Sequence, residues 1–342
     1  MSRTTLTLCA LLALAMAAGA TPVDLIIESQ GAVFVSRGGE QLPVTSVPFQ
    51  IEAGDIVRVN PGGRAVLPGD TPEEPVVLTV ESGPRTFTEP RPLVAMLLST
   101  QDLEVARAGG TDFSTMRSSI HLSHSLASPR NTALLSPPDG LVIALPVGSA
   151  EEFLFSSEDE TLTADVTVIV FGADDPLFTT ELVWTREELQ ALVDSGQEED
   201  LRTVDLSAMG VEIPIGEQIV TLVSSPALQA IARSMNPSER PPQDRAWFRI
   251  LREDERLTTE GDLVHLESLC ERMADSLGAT EGTLWRAGIL TSHGLTRAAI
   301  THLEEQIEAL DGTIDESSLD RLRTVHANLM LQVETPWDPN AQ

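Results

Sequence analysis

The hydrophobic pattern of this chain changes its period once, near Pro226, and no other feature constrains the fold as strongly. Before that point apolar residues occur in short β-prone runs separated by turns rich in Gly and Pro. After it they recur about every 3.6 residues, the spacing of an amphipathic helix. Val23 to Ile27, Ala32 to Val35, Asp55 to Val59, Arg64 to Leu67 and Val76 to Val80 read as strands. Between them stand Arg37-Gly38-Gly39, Glu52-Ala53-Gly54, Asn60-Pro61-Gly62-Gly63 and Pro68-Gly69-Asp70. Glycine supplies the positive φ that such turns need and proline fixes φ, so this spacing predicts a compact all-β module over residues 21–108.

Residues 109–132 are rich in Ser, Thr and Gly and read as a linker or edge segment. A second β-rich module is expected over 133–225. Leu134 to Gly140 opens it as strand, turn and strand, and Val142–Leu145, Phe153–Phe155, Asp165–Phe171, Glu181–Trp184 and Gln218–Val223 follow as apolar strands. Strands at this spacing suggest a small sandwich. Ser136-Pro137-Pro138-Asp139-Gly140 resembles the Ser-Pro-x-x-Gly entry of immunoglobulin-like or fibronectin-like modules in bacterial envelope proteins. Thr185 with Glu188 three residues on is a capping box, which predicts a short helix to Val193. Trp184 reads as a core residue rather than an exposed carbohydrate platform.

Residues 226–335 form the helical region. Asp262 to Leu277 carries Leu263, Leu266, Leu269, Cys270 and Met273 on one stripe. Thr283–Ser292 and Leu295–Leu310 form a helical pair broken at His293-Gly294. There Ala287, Leu290, Gly294, Ala299 and Leu303 resemble the small-and-large pattern of a tetratricopeptide-like hairpin. The terminal Pro of that pattern is missing and one unit cannot form a solenoid, which needs about three. A degenerate hairpin and an ordinary helical bundle both fit. The fold class is therefore multi-domain β + α, two β-rich modules followed by a C-terminal helical region.

Within the first module, Gly31-Ala32-Val33-Phe34-Val35, Ile51-Glu52-Ala53-Gly54-Asp55-Ile56-Val57 and Gly62-Gly63-Arg64-Ala65-Val66-Leu67 resemble the FecR-like domain. The resemblance covers about sixty residues and implies a fold, with no catalytic residue. Its physical content is that Gly54 permits the turn and Asp55 hydrogen-bonds nearby backbone at the strand start. Sigma-regulating members of that family carry a cytoplasmic anti-sigma segment and a transmembrane helix before this domain. Here a leader stands in front instead, so the resemblance implies a module reused outside the cytoplasm.

That leader is read from the first twenty residues. Arg3 gives a positive start, Leu6 to Ala17 is apolar apart from Thr7, and Ala18-Gly19-Ala20 places small residues before an expected cleavage after Ala20. A bilayer span needs about 20 apolar residues, so a cleaved signal peptide and a periplasmic or secreted protein are expected, with no membrane insertion afterwards. The formal net charge is -30, and all 22 basic residues are Arg, with no Lys and no Tyr. So negative a field disfavours nucleic acid and anionic membranes as partners. Fifteen acids against the single Arg186 lie between Ala150 and Asp200. They lack the calcium-loop pattern and read as a solvated face. One cysteine, Cys270, follows the leader, so no intramolecular disulfide forms and stability rests on apolar burial.

No G-x-S-x-G, G-x-x-x-x-G-K, G-x-G-x-x-G or H-E-x-x-H motif is present. Absence of Lys removes Schiff-base and Ser–Lys mechanisms, and an aromatic content of 4% leaves little to line a sugar cleft. His121 and His124 are three residues apart and could share a metal on one helical turn, but no Cys, Asp or Glu lies between Ser114 and Ser136. His265, His293, His302 and His326 all fall in the helical region. No catalytic, cofactor-binding or metal-ligating residue is assigned and no cofactor is expected. The reading is a non-enzymatic extracytoplasmic binding or adaptor protein of a cell envelope with protein partners. A signal-sensing relay component and a carbohydrate-active or metal-dependent enzyme are the alternatives.

Overall fold

A computed structural model describes residues 22–71, 74–101, 103, 122–125, 128–235, 244–273 and 277–334. The leader, most of the 109–132 linker and His121 lie outside the described residues. The architecture is β-rich first and helical towards the C-terminus, as the change of period predicts. Two compact units are present, one of residues 1–101 with 260–289 and one of 102–259 with 290–342. The helices after Pro226 are thus shared between the units.

In the first unit the strands are β1 (Pro22–Ile26), β2 (Glu28–Gln30), β3 (Val33–Arg37), β4 (Glu40–Pro43), β5 (Phe49–Glu52), β6 (Ile56–Val59), β7 (Arg64–Leu67), β8 (Val76–Leu78) and β9 (Arg85–Thr86). They form small sheets in the orders β1-β5, β2-β7-β8 and β4-β3-β6-β9. Helix α1 (Pro92–Leu97) follows, within the apolar run Leu93 to Leu98. Two cores result. Val23, Ile26, Val35, Ile51, Val57, Ala65 and Leu67 belong to the first, and Leu25, Ile27 and Val66 to the second, with Val94, Leu97, Leu266, Leu269, Trp285 and Ile289. Strands β1 and β7 therefore contribute to both cores, which is why their apolar residues, Val23, Leu25 and Ile26 in β1 and Ala65 to Leu67 in β7, do not alternate with polar ones in the pattern of a half-buried strand. Close helix approach in the second core needs Gly288. A Cβ there would stand 2.4 Å from the Met96 carbonyl oxygen, and Ser99 Oγ donates to the Gly288 carbonyl at 3.0 Å.

The Gly54-Asp55 turn has the geometry its residues dictate. Gly54 has φ +91°, which suits glycine, and the Glu52 N–H donates to Asp55 Oδ2 at 2.8 Å. Asp55 is buried and also accepts from Arg37 Nε at 3.1 Å and Nη2 at 2.7 Å, a two-pronged pair that ties the turn to β3. That pair holds the Arg37 guanidinium above its ordinary value.

Asp24 on β1 is a less comfortable carboxylate. It is 1% exposed, accepts from the Leu25 N–H at 2.8 Å and has Arg91 Nη1 3.7 Å away. Burial outweighs these contacts and pushes its pKa up to about 6. A carboxyl that holds its proton more tightly folded than unfolded stabilises the fold below its unfolded pKa and loses that contribution as pH rises through about 6. The shift corresponds to about 3 kcal/mol. Asp24→Asn, which mimics the protonated form, is expected to match the wild type near pH 4 and to exceed it by up to about 3 kcal/mol near pH 8. Denaturation midpoints of both proteins across that range check it; a pH-independent difference contradicts it.

The second unit contains β10 (Ser123–His124), β11 (Thr132–Leu134), β12 (Gly140–Pro146), α2 (Val147–Ser156), β13 (Thr161–Val170), β14 (Phe178–Thr185), α3 (Arg186–Ser195), β15 (Glu199–Asp205), β16 (Gln218–Ser224), α4 (Pro226–Met235) and β17 (Asp244–Ile250). A five-stranded sheet runs β11-β17-β16-β13-β14 and a three-stranded sheet β10-β12-β15. All ladders are antiparallel except β11 with β17. One core joins both sheets to the three helices through Leu141, Ile143, Phe153, Val166, Trp184, Leu189, Val204, Leu228 and Phe248. Helix α3 starts at the expected capping box: Thr185 Oγ1 accepts from the Glu188 N–H at 3.3 Å, and Glu188 Oε2 accepts from the Thr185 N–H at 2.7 Å.

Two expectations are corrected here. Phe153–Phe155 is helical, within α2, and not a strand. In a strand both rings would share a face; instead Phe153 is fully buried with Ser149 and Ala150 on one helical face, while Phe155 is 89% exposed. Asp244–Ile250 is a strand inside the region read as helical, with Asp244, Ala246, Phe248 and Ile250 facing in.

Four helices follow among the described residues: α5 (Glu253–Arg272), α6 (Ala279–Ser292), α7 (Thr296–Leu310) and α8 (Glu316–Glu334). The break at His293-Gly294 lies where expected, with Gly294 at φ +75°. Within the second unit α7 packs on α8, and Leu319, Leu322, Val325, Leu329 and Val333 form the buried stripe of α8. The end of α8 is held by the start of the β-rich segment. Arg130 Nη2 donates to the Glu334 carbonyl at 3.0 Å and Asn131 Nδ2 to the Val333 carbonyl at 3.2 Å, meeting carbonyls that a helix end leaves without partners. The same Arg130 pairs with the buried Asp244 at 3.2 Å.

Candidate functional site

Strand direction brings several loops to one end of the five-stranded sheet. Leu134 lies beside Ile250, Gln218 beside Arg249, Val170 beside Ile219 and Val168 beside Phe178. The C-terminal ends of β11, β17 and β13 therefore meet the N-terminal ends of β16 and β14. Backbone bonds hold the loops there: Leu251 N–H to Leu134 O at 2.8 Å, Gly216 N–H to Ile250 O at 2.9 Å, Phe171 N–H to Gln218 O at 2.8 Å and Leu177 N–H to Val168 O at 2.7 Å.

On these anchored loops stand exposed apolar side chains: Leu135, Ile215 (61% exposed), Phe171 (53%) and Leu177. At about 4.8 Å per strand the row crosses roughly 19 Å, from the β11 end to the β14 end. Single exposed apolar residues are ordinary; several at the same end of one sheet are not. Asp139, Asp174, Asp175, Glu212 and Glu217 are exposed on the same loops, and Arg249 and Arg252 lie at the same sheet end. The loops thus carry exposed apolar side chains interleaved with acidic ones.

The residues singled out in the sequence lie elsewhere. Trp184 is a core residue, its indole N–H donating to Asp200 Oδ2 at 2.6 Å, with the Arg202 guanidinium 4.7 Å above the ring. Cys270 is half-buried in α5, and burial, aided by Glu267, pushes its thiol above the ordinary value, the opposite of an activated nucleophile. His265 belongs to the first unit, and His293, His302 and His326 to the second; His326 Nε2 stands 3.2 Å from Glu304 Oε1. Among the described residues no group of three or more His, Cys, Asp or Glu is placed to hold a metal ion. Also among these, no helix is long and apolar enough to cross a membrane. The His121–His124 pair falls partly outside the described residues.

Sequence reasoning gave Phe171 as the end of a strand and did not single out Leu135, Leu177 or Ile215. Their signal was apolar residues inside Gly-, Pro- and Asp-rich turns, where polar ones are usual. No family model, no curated protein and no solved structure matches this chain.

Proposed function

We propose that the protein is a non-enzymatic binding or adaptor protein of a cell envelope, built on a FecR-like module and exported by its leader. It engages a partner protein through the loop end of the five-stranded sheet. The observation that carries this reading is the row Leu135, Ile215, Phe171 and Leu177 on loops fixed by backbone hydrogen bonds. Such a patch is pre-ordered, so a partner meets it with little entropy cost. The acids on the same loops and the net charge of -30 favour a partner that presents apolar and basic groups together.

Cross-linking in intact cells, followed by mass spectrometry of what purifies with the tagged chain, tests the reading. Links from Leu135, Phe171 or Ile215 loop residues to one reproducible envelope protein are expected. The double substitution Phe171→Asp with Ile215→Asp is expected to reduce recovery of that protein about 10–100-fold, the loss typical of central apolar contacts. Both side chains are exposed, so the thermal midpoint should hold. Undiminished recovery from the double variant, or self-links alone, contradicts the proposal.

A further inference from the structure

The five-stranded sheet of the second unit has one closed edge and one open one. Its β11 edge is three residues long, and the Ala133 N–H there donates to the Gly294 carbonyl at 2.7 Å, in the turn before α7. At the other edge stands β14, eight residues in unbroken register with β13. Two bonds set its backbone parity. Phe171 N–H to Gln218 O carries the β13–β16 ladder on odd-numbered residues of β13. Arg186 N–H to Glu160 O at 2.9 Å continues the β13–β14 ladder on even-numbered ones. Thr180 and Leu182 therefore bond to β13, while Thr179, Glu181 and Val183 turn their N–H and C=O groups away from the sheet. Arg202 Nη1 meets the Val183 carbonyl. Among the described residues the other outward groups of these three have no hydrogen-bond partner.

Open edges invite pairing, and native proteins usually blunt them with Pro, Lys or a bulge. Residues 178–183 have none of these. They carry one charge instead. Glu181 lies opposite Asp165 in the non-hydrogen-bonded position, where side chains are closest. Both are exposed, and neither has an ion-pair partner among the described residues. Like charges so placed are unfavourable, and a cation at the next strand position would relieve them. Thr179 and Val183 flank Glu181 on the same exposed face. A second copy is the wrong occupant. Antiparallel pairing of two β14 strands sets Glu181 opposite or diagonal to its mate, in a chain of charge -30. We propose that β14 accepts an extended segment of a partner protein as an added antiparallel strand, with Lys or Arg beside Glu181 and β-branched residues two positions to either side. Main-chain bonds to Thr179, Glu181 and Val183 supply the affinity, and the basic residue supplies the choice of segment. This edge is separate from the loop end and does not rest on it.

The probe is a fluorophore-labelled peptide, Ser-Val-Thr-Arg-Thr-Val-Ser with blocked termini, titrated by anisotropy against the full chain. Saturable binding is expected, and the peptide with Glu in place of Arg should bind at least about tenfold more weakly. Methylating the backbone nitrogen of the Arg, which faces β14, should cost at least about tenfold, and methylating that of the next Thr, which faces solvent, less than about threefold. Glu181→Arg, at an exposed position, is expected to cut the preference for Arg over Glu to within about threefold. Amide exchange read residue by residue should slow at Thr179, Glu181 and Val183 when peptide is added. No saturable binding, equal binding of the two methylated peptides, an unchanged preference in Glu181→Arg, or slowing at the loop end instead overturns the proposal. Slowing along β14 that rises with protein concentration alone assigns the edge to a second copy and overturns it too.

Discussion

Replacing Arg130 by alanine is expected to destabilise the second unit by about 3–5 kcal/mol, the cost of removing one partner of a buried ion pair. Arg130 and Asp244 are both buried, 3.2 Å apart, at the entry to β17. Without the guanidinium, the buried Asp244 loses its ion pair and the Glu334 carbonyl at the end of α8 loses the Arg130 donor. Amide exchange in residues 316–334 is expected to accelerate along with the β17 strand, because one side chain anchors both. Asn131→Ala removes bonds of 3.3 and 3.2 Å to the Gln332 and Val333 carbonyls but no charge pair. It should cost about 1–3 kcal/mol and leave β17 protected. Equal exchange in both variants would place the stability of α8 in its apolar stripe alone.

Trp184→Ala is expected to cost about 3–5 kcal/mol in the same unit, the range for deleting a large buried aromatic side chain. The ring fills the core between β14 and its neighbours, and its edge serves a polar cluster. Asp200 accepts the indole proton at 2.6 Å, while Arg202 lies over the ring and bonds Glu188 Oε1 at 2.9 Å. Thr185 and Arg202 together hold the Glu188 carboxyl below its ordinary range. Trp184→Phe keeps most of the volume and leaves Asp200, 38% exposed, its contact with Arg202 Nε at 3.3 Å, so only about 0.5–1.5 kcal/mol is expected. Chemical denaturation followed by the far-ultraviolet signal reads both. Similar losses would mean that the hydrogen bond, not the packing, is what the indole contributes.

Local chemistry was the readable part of this fold. The Thr185–Glu188 capping box, the Gly54-Asp55 turn and the glycine break at Gly294 each depend on residues within a few positions, and each stands where the sequence puts it. Strand β13 alternates cleanly, with Leu162, Ala164, Val166 and Val168 inward. Strand β15 was invisible because Glu199, Asp200 and Asp205 have poor strand propensity, and only its full register with β12 makes it a strand. Strand β17 carried a period-two signal that Trp247 on the outer face obscured. The candidate surface was hidden for a different reason. Leu135, Phe171 and Ile215 come to one end of the sheet only through the order β11-β17-β16-β13-β14, in which strands far apart in sequence pair. Likewise Arg130 acts on a carbonyl 204 positions away, a distance no local pattern can encode.

The split membership of the first unit bears on how the chain is made. Leu25, Ile27 and Val66 complete their burial with Leu266, Leu269, Trp285 and Ile289, yet residues 102–259 must be synthesised in between. At about 5–20 residues per second that interval is roughly 8–30 s, long compared with the collapse of a small domain. During it the nascent β module presents an uncovered apolar face while its acidic companion segment emerges. The covering helices arrive as a late lid, so a nascent chain arrested before Glu260 should be a substrate for holdase chaperones and proteases, and one released after Ile289 should not.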